Sequence, residues 1–335
     1  MKVAGLIVTY GDRFHLISEV INELLNQQIH VIFIIDNNSS TASKEKLDKL
    51  KNNNKKKIQI YRLNTNTGTA YAFKYGLEKI FHDSNSDFIW ILDDDNLPCR
   101  NALEELKSFW DKCKYHDKEK RLILLSYREN KKIYKYAVEK NNPQVIIGRH
   151  NIFRSFHLFA LGETIQKKIF PINDKNGINI IKYGEVTAAP YGGSFFNKKV
   201  LELIGYPDEN YYIYGDDYDF SYRIIKQNGK IILVLDSVIK DIEQSWNIQG
   251  VAVYNIVKQR NQVALYYSIR NRIYLEKKEL VTNYFMYSIN MIIYSSVVLF
   301  LGLILFRFIN IKTYFIALYN GLKGEFGKNN NYVLK

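Results

Sequence analysis

Two cysteines, Cys99 and Cys113, in 335 residues are too few for a disulfide framework and lack the paired spacing of a zinc site. That scarcity suits a reducing compartment. Histidine is equally unhelpful as a metal signature. None of the six, His15, His30, His82, His116, His150 and His157, has a partner at metal spacing on a recognisable helix. They read as structural or surface groups, with contact to phosphates as the alternative for His150 and His157 beside Arg149 and Arg154. No internal repeat, zinc-finger pattern or RNA-binding signature is visible, and the one basic run, Lys55-Lys56-Lys57, lies in an Asn/Lys-rich connection that reads as a solvated loop. The net charge of +13 therefore points to a phosphorylated substrate or an acidic membrane face, and no nucleic acid is expected as partner. The N-terminus lacks the charged-then-apolar pattern of a signal peptide, so the expectation is a domain in the cytoplasm.

What is present is 47% hydrophobic residues, enough for one large α/β domain with a C-terminal appendage. Val3–Thr9, Val31–Ile35, Ile58–Tyr61, Phe88–Leu92, Leu122–Leu125 and Ile231–Leu235 read as buried strands. Helical spacing intervenes at Ile17 to Leu25, at Tyr71 to Ile80, at Leu103 to Trp110, and again at Val200 to Ile204 and Phe220 to Ile225. Strands alternating with helices predict a doubly wound, mostly parallel sheet, in which ligands bind at the carboxyl ends of the strands. Residues 127–184 show poor periodicity and read as loops and minor strands.

Two acidic clusters stand out. Asp93, Asp94 and Asp95 follow the apolar run Phe88-Ile89-Trp90-Ile91-Leu92, and Pro98 stops the strand beyond them. Two carboxylates about 4 Å apart repel by about 4 kcal/mol at an effective dielectric near 20, so a cluster fixed on a strand end invites a cation. Oxygen-only ligands favour Mg²⁺ or Mn²⁺, and the competing reading is a solvated acidic loop. The second cluster, Asp216, Asp217 and Asp219, opens a helix, where acids often serve only as dipole partners. Between them, Tyr191-Gly192-Gly193-Ser194 pairs glycines that let backbone approach a ligand closely, or make an ordinary tight turn.

Taken with Val8-Thr9-Tyr10, Asp36-Asn37-Asn38-Ser39-Ser40, the Asn66-x-Gly68 turn with Gly76, and Tyr214-Gly215-Asp216-Asp217-x-Asp219-Phe220-x-x-Arg223, these motifs resemble the family 2 glycosyltransferases from Val3 to about Leu275. Within that family the pattern is most similar to bacterial rhamnosyl- and galactofuranosyltransferases. The resemblance implies a GT-A, Rossmann-like fold over 1–275, with 276–335 as a membrane-associated helical region. It also implies a nucleotide diphosphate sugar donor and an inverting, metal-dependent reaction. Thr9, Tyr10 and Asp36 then hold base and ribose, while Asn66, Gly68, Asp93 and Asp94 border the nucleotide-sugar. Asp93 and Asp95 lie at Mn²⁺ or Mg²⁺, and Asp217 is the catalytic base. Tyr191, Gly192, Gly193, Ser194 and Asp216 are on the acceptor side.

The chain departs from that pattern in two places. Thr69-Ala70-Tyr71-Ala72 stands where relatives carry a glycine-rich run, which leaves the donor open among rhamnose, galactofuranose and a hexose. Asp241 stands where relatives carry a histidine, and is the candidate third metal ligand, against a surface acid paired with Lys240. A sugar nucleotidyltransferase is the rival enzyme, but Val8-Thr9-Tyr10-Gly11-Asp12 offers no glycine-rich phosphate loop with a following base. A non-catalytic nucleotide-sugar binding protein gives Asp216-Asp217 no purpose.

At the other end, Arg270 or Arg272 in Tyr266-Tyr267-x-x-Arg270-Asn271-Arg272 is a candidate partner for a diphosphate, or part of a basic helix surface. Leu280 to Phe306 carries no charge, long enough to span a bilayer, yet only Met291 to Phe306 is densely apolar. Attachment to the cytoplasmic face of the membrane is expected, with Ile311 to Gly327 as a second amphipathic piece and a glycan or lipid-diphosphate-linked acceptor. A buried helix or a homo-oligomer contact is the alternative.

Overall fold

Consecutive burial, rather than alternation, marks the N-terminal strands: every residue from Val3 to Thr9 is buried, as a strand covered on both faces requires. The computed structural model describes residues 1–159, 181–243 and 253–334. The chain forms two compact units, Met1–Ile147 with Ile181–Ser245, and Gly148–Ile180 with Trp246–Lys335.

The first unit is built on a nine-stranded sheet. Its strands are β1 (Val3–Gly11), β2 (Val31–Ser39), β3 (Ile58–Leu63), β4 (Phe88–Asp93), β5 (Asn96–Pro98), β6 (Leu122–Arg128), β7 (Tyr183–Val186), β8 (Ser194–Asn197) and β9 (Lys230–Asp241). The path runs β3-β2-β1-β4-β8-β6-β9, with β5 and β7 each paired to β9. β3, β2, β1 and β4 are parallel, as are β6 and β9, while β8 inserts antiparallel between β4 and β6. The expected mostly parallel α/β sheet is what forms.

Helices cover both faces. α1 (Phe14–Asn26) and α4 (Ala102–Lys112) bring Ile17, Val20, Leu24, Leu103 and Trp110 against Val3, Ile7, Ile34 and Trp90 in one core cluster. α2 (Thr41–Asn53) follows β2, with Ser40 capping it by accepting from the Ser43 amide. α3 (Gly68–Asp83) lies against the alternate residues of the same strands, since a Cβ on Gly76 would meet Leu6 Cδ1 at 2.5 Å and Ile35 Cγ1 at 2.9 Å. Each fully buried Leu or Ile contributes roughly 1.5–3 kcal/mol, so these two layers fix the sheet before any polar group is considered.

Shorter elements complete the unit: α5 (Lys118–Arg121), α6 (Lys132–Glu139), α7 (Val200–Ile204) and α8 (Asp216–Lys226). α6 falls in the stretch expected to be loops and minor strands. Its two turns bury Tyr134, Ala137 and Val138, a stripe too short to register as periodicity in sequence. Residues 160–180 of that stretch lie outside the described residues.

The second unit holds α9 (Val253–Lys258), α10 (Gln262–Glu279), α11 (Tyr284–Ile304) and α12 (Phe308–Lys323). α10 runs through position 275, where the sequence divides by its family resemblance, and packs on α12 so tightly that a Cβ on Gly321 would meet the Arg270 carbonyl oxygen at 2.7 Å. Arg270 is buried, its guanidinium over the rings of Tyr266, Tyr267 and Phe326 and donating to the Gly327 carbonyl at 2.7 Å. Arg272 pairs with Glu276 at 2.6 Å, and Glu276 also accepts from the Arg154 amide at 2.9 Å. These arginines thus have structural partners within their own unit. α11 is the one described helix long and apolar enough to cross a membrane, with a mean hydropathy of 1.9. One face is buried, at Tyr287, Asn290, Tyr294, Val298 and Gly302, while Phe285, Ile292, Phe300 and Ile304 on the other are exposed.

Candidate active site

The acidic strand end is a network and not a loose loop. β4 ends at Asp93, the chain turns through Asp94 and Asp95, and β5 then pairs antiparallel with β9 in the register that sets Asn96 opposite Asp241. Asn96 Nδ2 donates to Asp95 Oδ1 at 3.1 Å and to Asp241 Oδ1 at 3.0 Å. The Thr9 hydroxyl donates to Asp94 Oδ2 at 2.8 Å, tying the end of β1 to the cluster. Arg13 donates to both oxygens of Asp94 at 2.8 Å each and also pairs with Glu243. Arg128, at the end of β6, donates through Nη1 to Asp93 Oδ2 at 3.1 Å, and its Nη2 lies 2.7 Å from Asp241 Oδ1.

Four carboxylates, Asp93, Asp94, Asp95 and Asp241, therefore face two guanidiniums. The surplus negative charge is felt at Asp95. Burial, followed by the charges of Asp93, Asp94 and Asp241, pushes it up to about 7. Burial also raises Asp94, with Arg13 opposing. A hard, all-oxygen donor set with excess negative charge fits Mn²⁺ or Mg²⁺ in chemistry. In arrangement, no group of three His, Cys, Asp or Glu among the described residues is set to hold a metal as it stands. Arg128 bridges two of the three carboxylates the sequence proposes as ligands.

The second cluster opens α8. Two non-glycine residues just before it, Tyr212 and Tyr214, have φ of 65° each, and Gly215 follows at 82°. Each such left-handed residue costs roughly 1–3 kcal/mol, strain that surrounding packing must hold in place. Tyr212 is buried, and its carbonyl oxygen would meet a Cβ on Gly68 at 2.1 Å, so the Asn66-x-Gly68 turn and this loop interlock. Asp216 is buried and accepts from the Thr69 hydroxyl at 3.2 Å, with Tyr191 beside it. Asp217 is partly exposed and accepts from the Tyr218 amide at 2.9 Å. Burial pushes both carboxyls above the usual range, outweighing the favourable helix terminus. Asp217 adds to the push on Asp216, while Asp93 raises and Lys131 lowers Asp217, so the two acid clusters share one electrostatic field.

Gly192 closes the distance between the walls. A Cβ there would lie 1.9 Å from Asn96 Oδ1, 2.7 Å from Asp93 Oδ2 and 2.9 Å from Arg128 Nη1, so only glycine lets this backbone rest against the acids. Gly193 has φ of 99° and donates its amide to the Ile91 carbonyl at 2.8 Å. Ser194 is buried, its hydroxyl donating to the Pro190 carbonyl at 2.7 Å.

The remaining sequence candidates lie at neighbouring strand ends. Asp36, fully buried, accepts from the Ser39 amide at 2.7 Å and from Arg62 at 3.2 Å. Asn66 Oδ1 accepts from the Gly68 amide and from Asn37 Nδ2, both at 3.1 Å, which organises the first turn of α3. Tyr10 is 40% exposed, with the Arg13 guanidinium 5.2 Å from its ring centre. Sequence reasoning missed Arg13, Asn96, Arg128, Lys131 and Thr69. Arg13 stands four residues past Thr9 and Arg128 three past the recognised strand core at Leu125; neither position shows a pattern until Asp94, Asp93 and Asp241 are placed beside them.

An open, mostly parallel sheet with one acid cluster at a central strand end and a second on a facing helix start defines a GT-A type domain. Residues 6–117 match the family model described as Glycosyl transferase family 2. Among solved structures, GalNAc-T7 crystallised with UDP, GalNAc and Mn²⁺ is similar at a TM-score of 0.50 and 14% identity, covering 73% of this chain and 43% of that one. The chain thus spans less than half the length of that protein. S. aureus TarS 1-349 in complex with UDP matches at a TM-score of 0.46 and 13% identity, over 83% of this chain and 74% of that one. No curated protein matches the chain. The family match covers residues 6–117, the N-terminal part of the Val3 to Leu275 stretch that resembles the family, and the fold around it is GT-A.

Proposed function

We propose that the chain is an inverting, metal-dependent glycosyltransferase. It moves a sugar, rhamnose, galactofuranose or a hexose, from a nucleotide diphosphate donor to a bacterial cell-surface glycan or lipid-linked oligosaccharide. The observation that supports this reading is the Tyr191-Gly192 step, with Gly192 against Asp93 of one acid cluster and Tyr191 beside Asp216 of the other, as a leaving-group pole and a base on two walls of one site require. The crystal of GalNAc-T7, a protein of the same fold, contains UDP, GalNAc and Mn²⁺, a nucleoside diphosphate, a sugar and a cation of the classes proposed here. Asp93 and Asp95, with Asp241, would hold Mn²⁺ or Mg²⁺, which supplies the charge that stabilises a departing diphosphate.

Asp217 takes the proton of the acceptor hydroxyl. Its raised affinity for that proton, set first by burial, makes it a better base than a free aspartate near 3.9. Asp216, more deeply buried and held by Thr69, orients the start of α8. Gly192 brings bare backbone against Asp93, Asn96 and Arg128. Asp36, Thr9 and Tyr10 form the nucleotide end. The exposed apolar face of α11 and the turn into α12 attach the protein to the cytoplasmic face of the membrane.

A panel of UDP-, GDP- and dTDP-sugars with Mn²⁺, scored for slow donor hydrolysis, tests the reading. One donor is expected to be hydrolysed, and Asp217→Asn is expected to lose transfer by at least a hundredfold while still binding that donor. Wild-type turnover in Asp217→Asn removes the base; no hydrolysis of any donor removes the enzyme.

A further inference from the structure

We propose that Arg128 is a built-in competitor for the divalent cation at the acid cluster. Its guanidinium leaves Asp93 and Asp241 only when a donor diphosphate gives it a new anion. The inference rests on the proposed metal site and adds to it an order of assembly.

The geometry is that of a clamp. One planar fork spans two carboxylates, Nη1 to Asp93 at 3.1 Å and Nη2 to Asp241 at 2.7 Å. A cation held by these carboxylates would sit beside a charge of its own sign, in a place with little water to screen it: Arg128 is 7% exposed. On the Gly192 side the backbone already lies so close that a Cβ would meet Asn96, Asp93 and Arg128. Asp241 has both oxygens engaged, Oδ1 by Arg128 and Asn96, and Oδ2 by Asn130. Metal and guanidinium therefore contend for the same oxygens.

Arg128 is also the guanidinium able to move. Arg13 is held by Asp94, lies near Asp95 and pairs with Glu243. Among the described residues Arg128 has Asp93 and Asp241 as its side-chain partners, and its buried Nε has none. A guanidinium fork fits a phosphate as well as a carboxylate. Swinging from Asp93 to a diphosphate exchanges one charge-assisted pair for another and frees the metal ligands. Lys131, three residues further on, feels Asp241, Asp217 and Asp93 and stays behind as a second basic group.

The consequence is cooperativity: Mn²⁺ binds weakly alone and tightly with nucleotide. Mn²⁺ binding is measured by electron paramagnetic resonance and calorimetry on the full chain, with and without UDP, GDP and dTDP. In the wild type, one of these is expected to tighten Mn²⁺ at least tenfold. In Arg128→Gln, Mn²⁺ alone is expected to bind at least tenfold tighter than in the wild type, with the nucleotide effect correspondingly reduced. Arg128→Lys, which keeps the charge, is expected to stay weak. Absence of coupling in the wild type overturns the proposal without needing any variant to fold, as does Mn²⁺ binding to Arg128→Gln that is no tighter than wild type. Asp95→Asn separates the two readings: unchanged Mn²⁺ binding there overturns the metal site itself and this proposal with it. Loss there with no gain in Arg128→Gln overturns the competitor alone.

Discussion

Asp217 and Asp216 are adjacent carboxyls whose environments part them. Asp216 is enclosed by Thr69 and Tyr191, while Asp217 keeps contact with solvent and feels both Asp93 and Lys131. Because burial raises the pair, the proposed base is expected to be protonated at mildly acid pH and to gain activity as the proton leaves. The expected kcat/KM profile rises with pH through a limb well above the ordinary aspartate value of about 3.9. A pH series with substrate well below KM measures it; a limb at about 4 contradicts the raised base. Residue types made the acids legible in sequence, since three consecutive aspartates after an apolar strand need no fold to be noticed. Their environments were not legible. Arg13 and Arg128 acquire meaning only beside Asp94, Asp93 and Asp241, which lie 81, 35 and 113 positions away by residue number.

At the scale of elements, parallel strands do most of the positioning. β1, β2 and β4 end at the same level, which aligns Thr9 with Asp36 in register and brings Val8 level with Asp93. The periodicity of the runs foretold this, because strands alternating with helices leave few topologies. The β5–β9 pair was not foretold: three residues after the acids turn antiparallel and lay Asn96 against Asp241. The seating of α3 depends on Gly76. Ala is preferred over Gly in a helix by roughly 1 kcal/mol, but overpacking against Leu6 and Ile35 costs about 1–3 kcal/mol. Packing wins, and Gly76→Ala is expected to lower stability by about 1 kcal/mol in urea unfolding. A stabilised variant would mean that the α3–sheet contact is looser than 2.5 Å from Leu6 implies.

At the scale of the molecule, the C-terminal unit has an internal logic of its own. Asn290, in an apolar helix, is buried and hydrogen-bonded at both ends of its amide, accepting from the Leu158 amide at 2.9 Å and donating to the Asn151 carbonyl at 2.8 Å. Ser295 likewise bonds Tyr314 at 2.8 Å. Asn290 on the protein-facing side is one reason the stretch before Met291 is less densely apolar than the rest. The opposite side, with Phe285, Phe300, Phe306, Phe308 and Ile309 each at least 60% exposed, is the proposed membrane-attachment face. In a flotation assay the protein is expected to rise with vesicles containing anionic phospholipid, and the combined Phe306→Ser, Phe308→Ser and Ile309→Ser variant to remain largely at the bottom. Equal flotation of the two, or none by the wild type, removes the membrane role of this face.

The sequence by itself determined the class of sheet, the strand end that carries the acid cluster and the apolar C-terminal helix, because hydrophobic spacing and runs of like charge are local properties of a chain. Tertiary structure alone decided which charges neutralise which. A carboxylate's partners depend on strand register and on backbone approach such as that of Gly192, and neither is encoded within reach of the residues it governs.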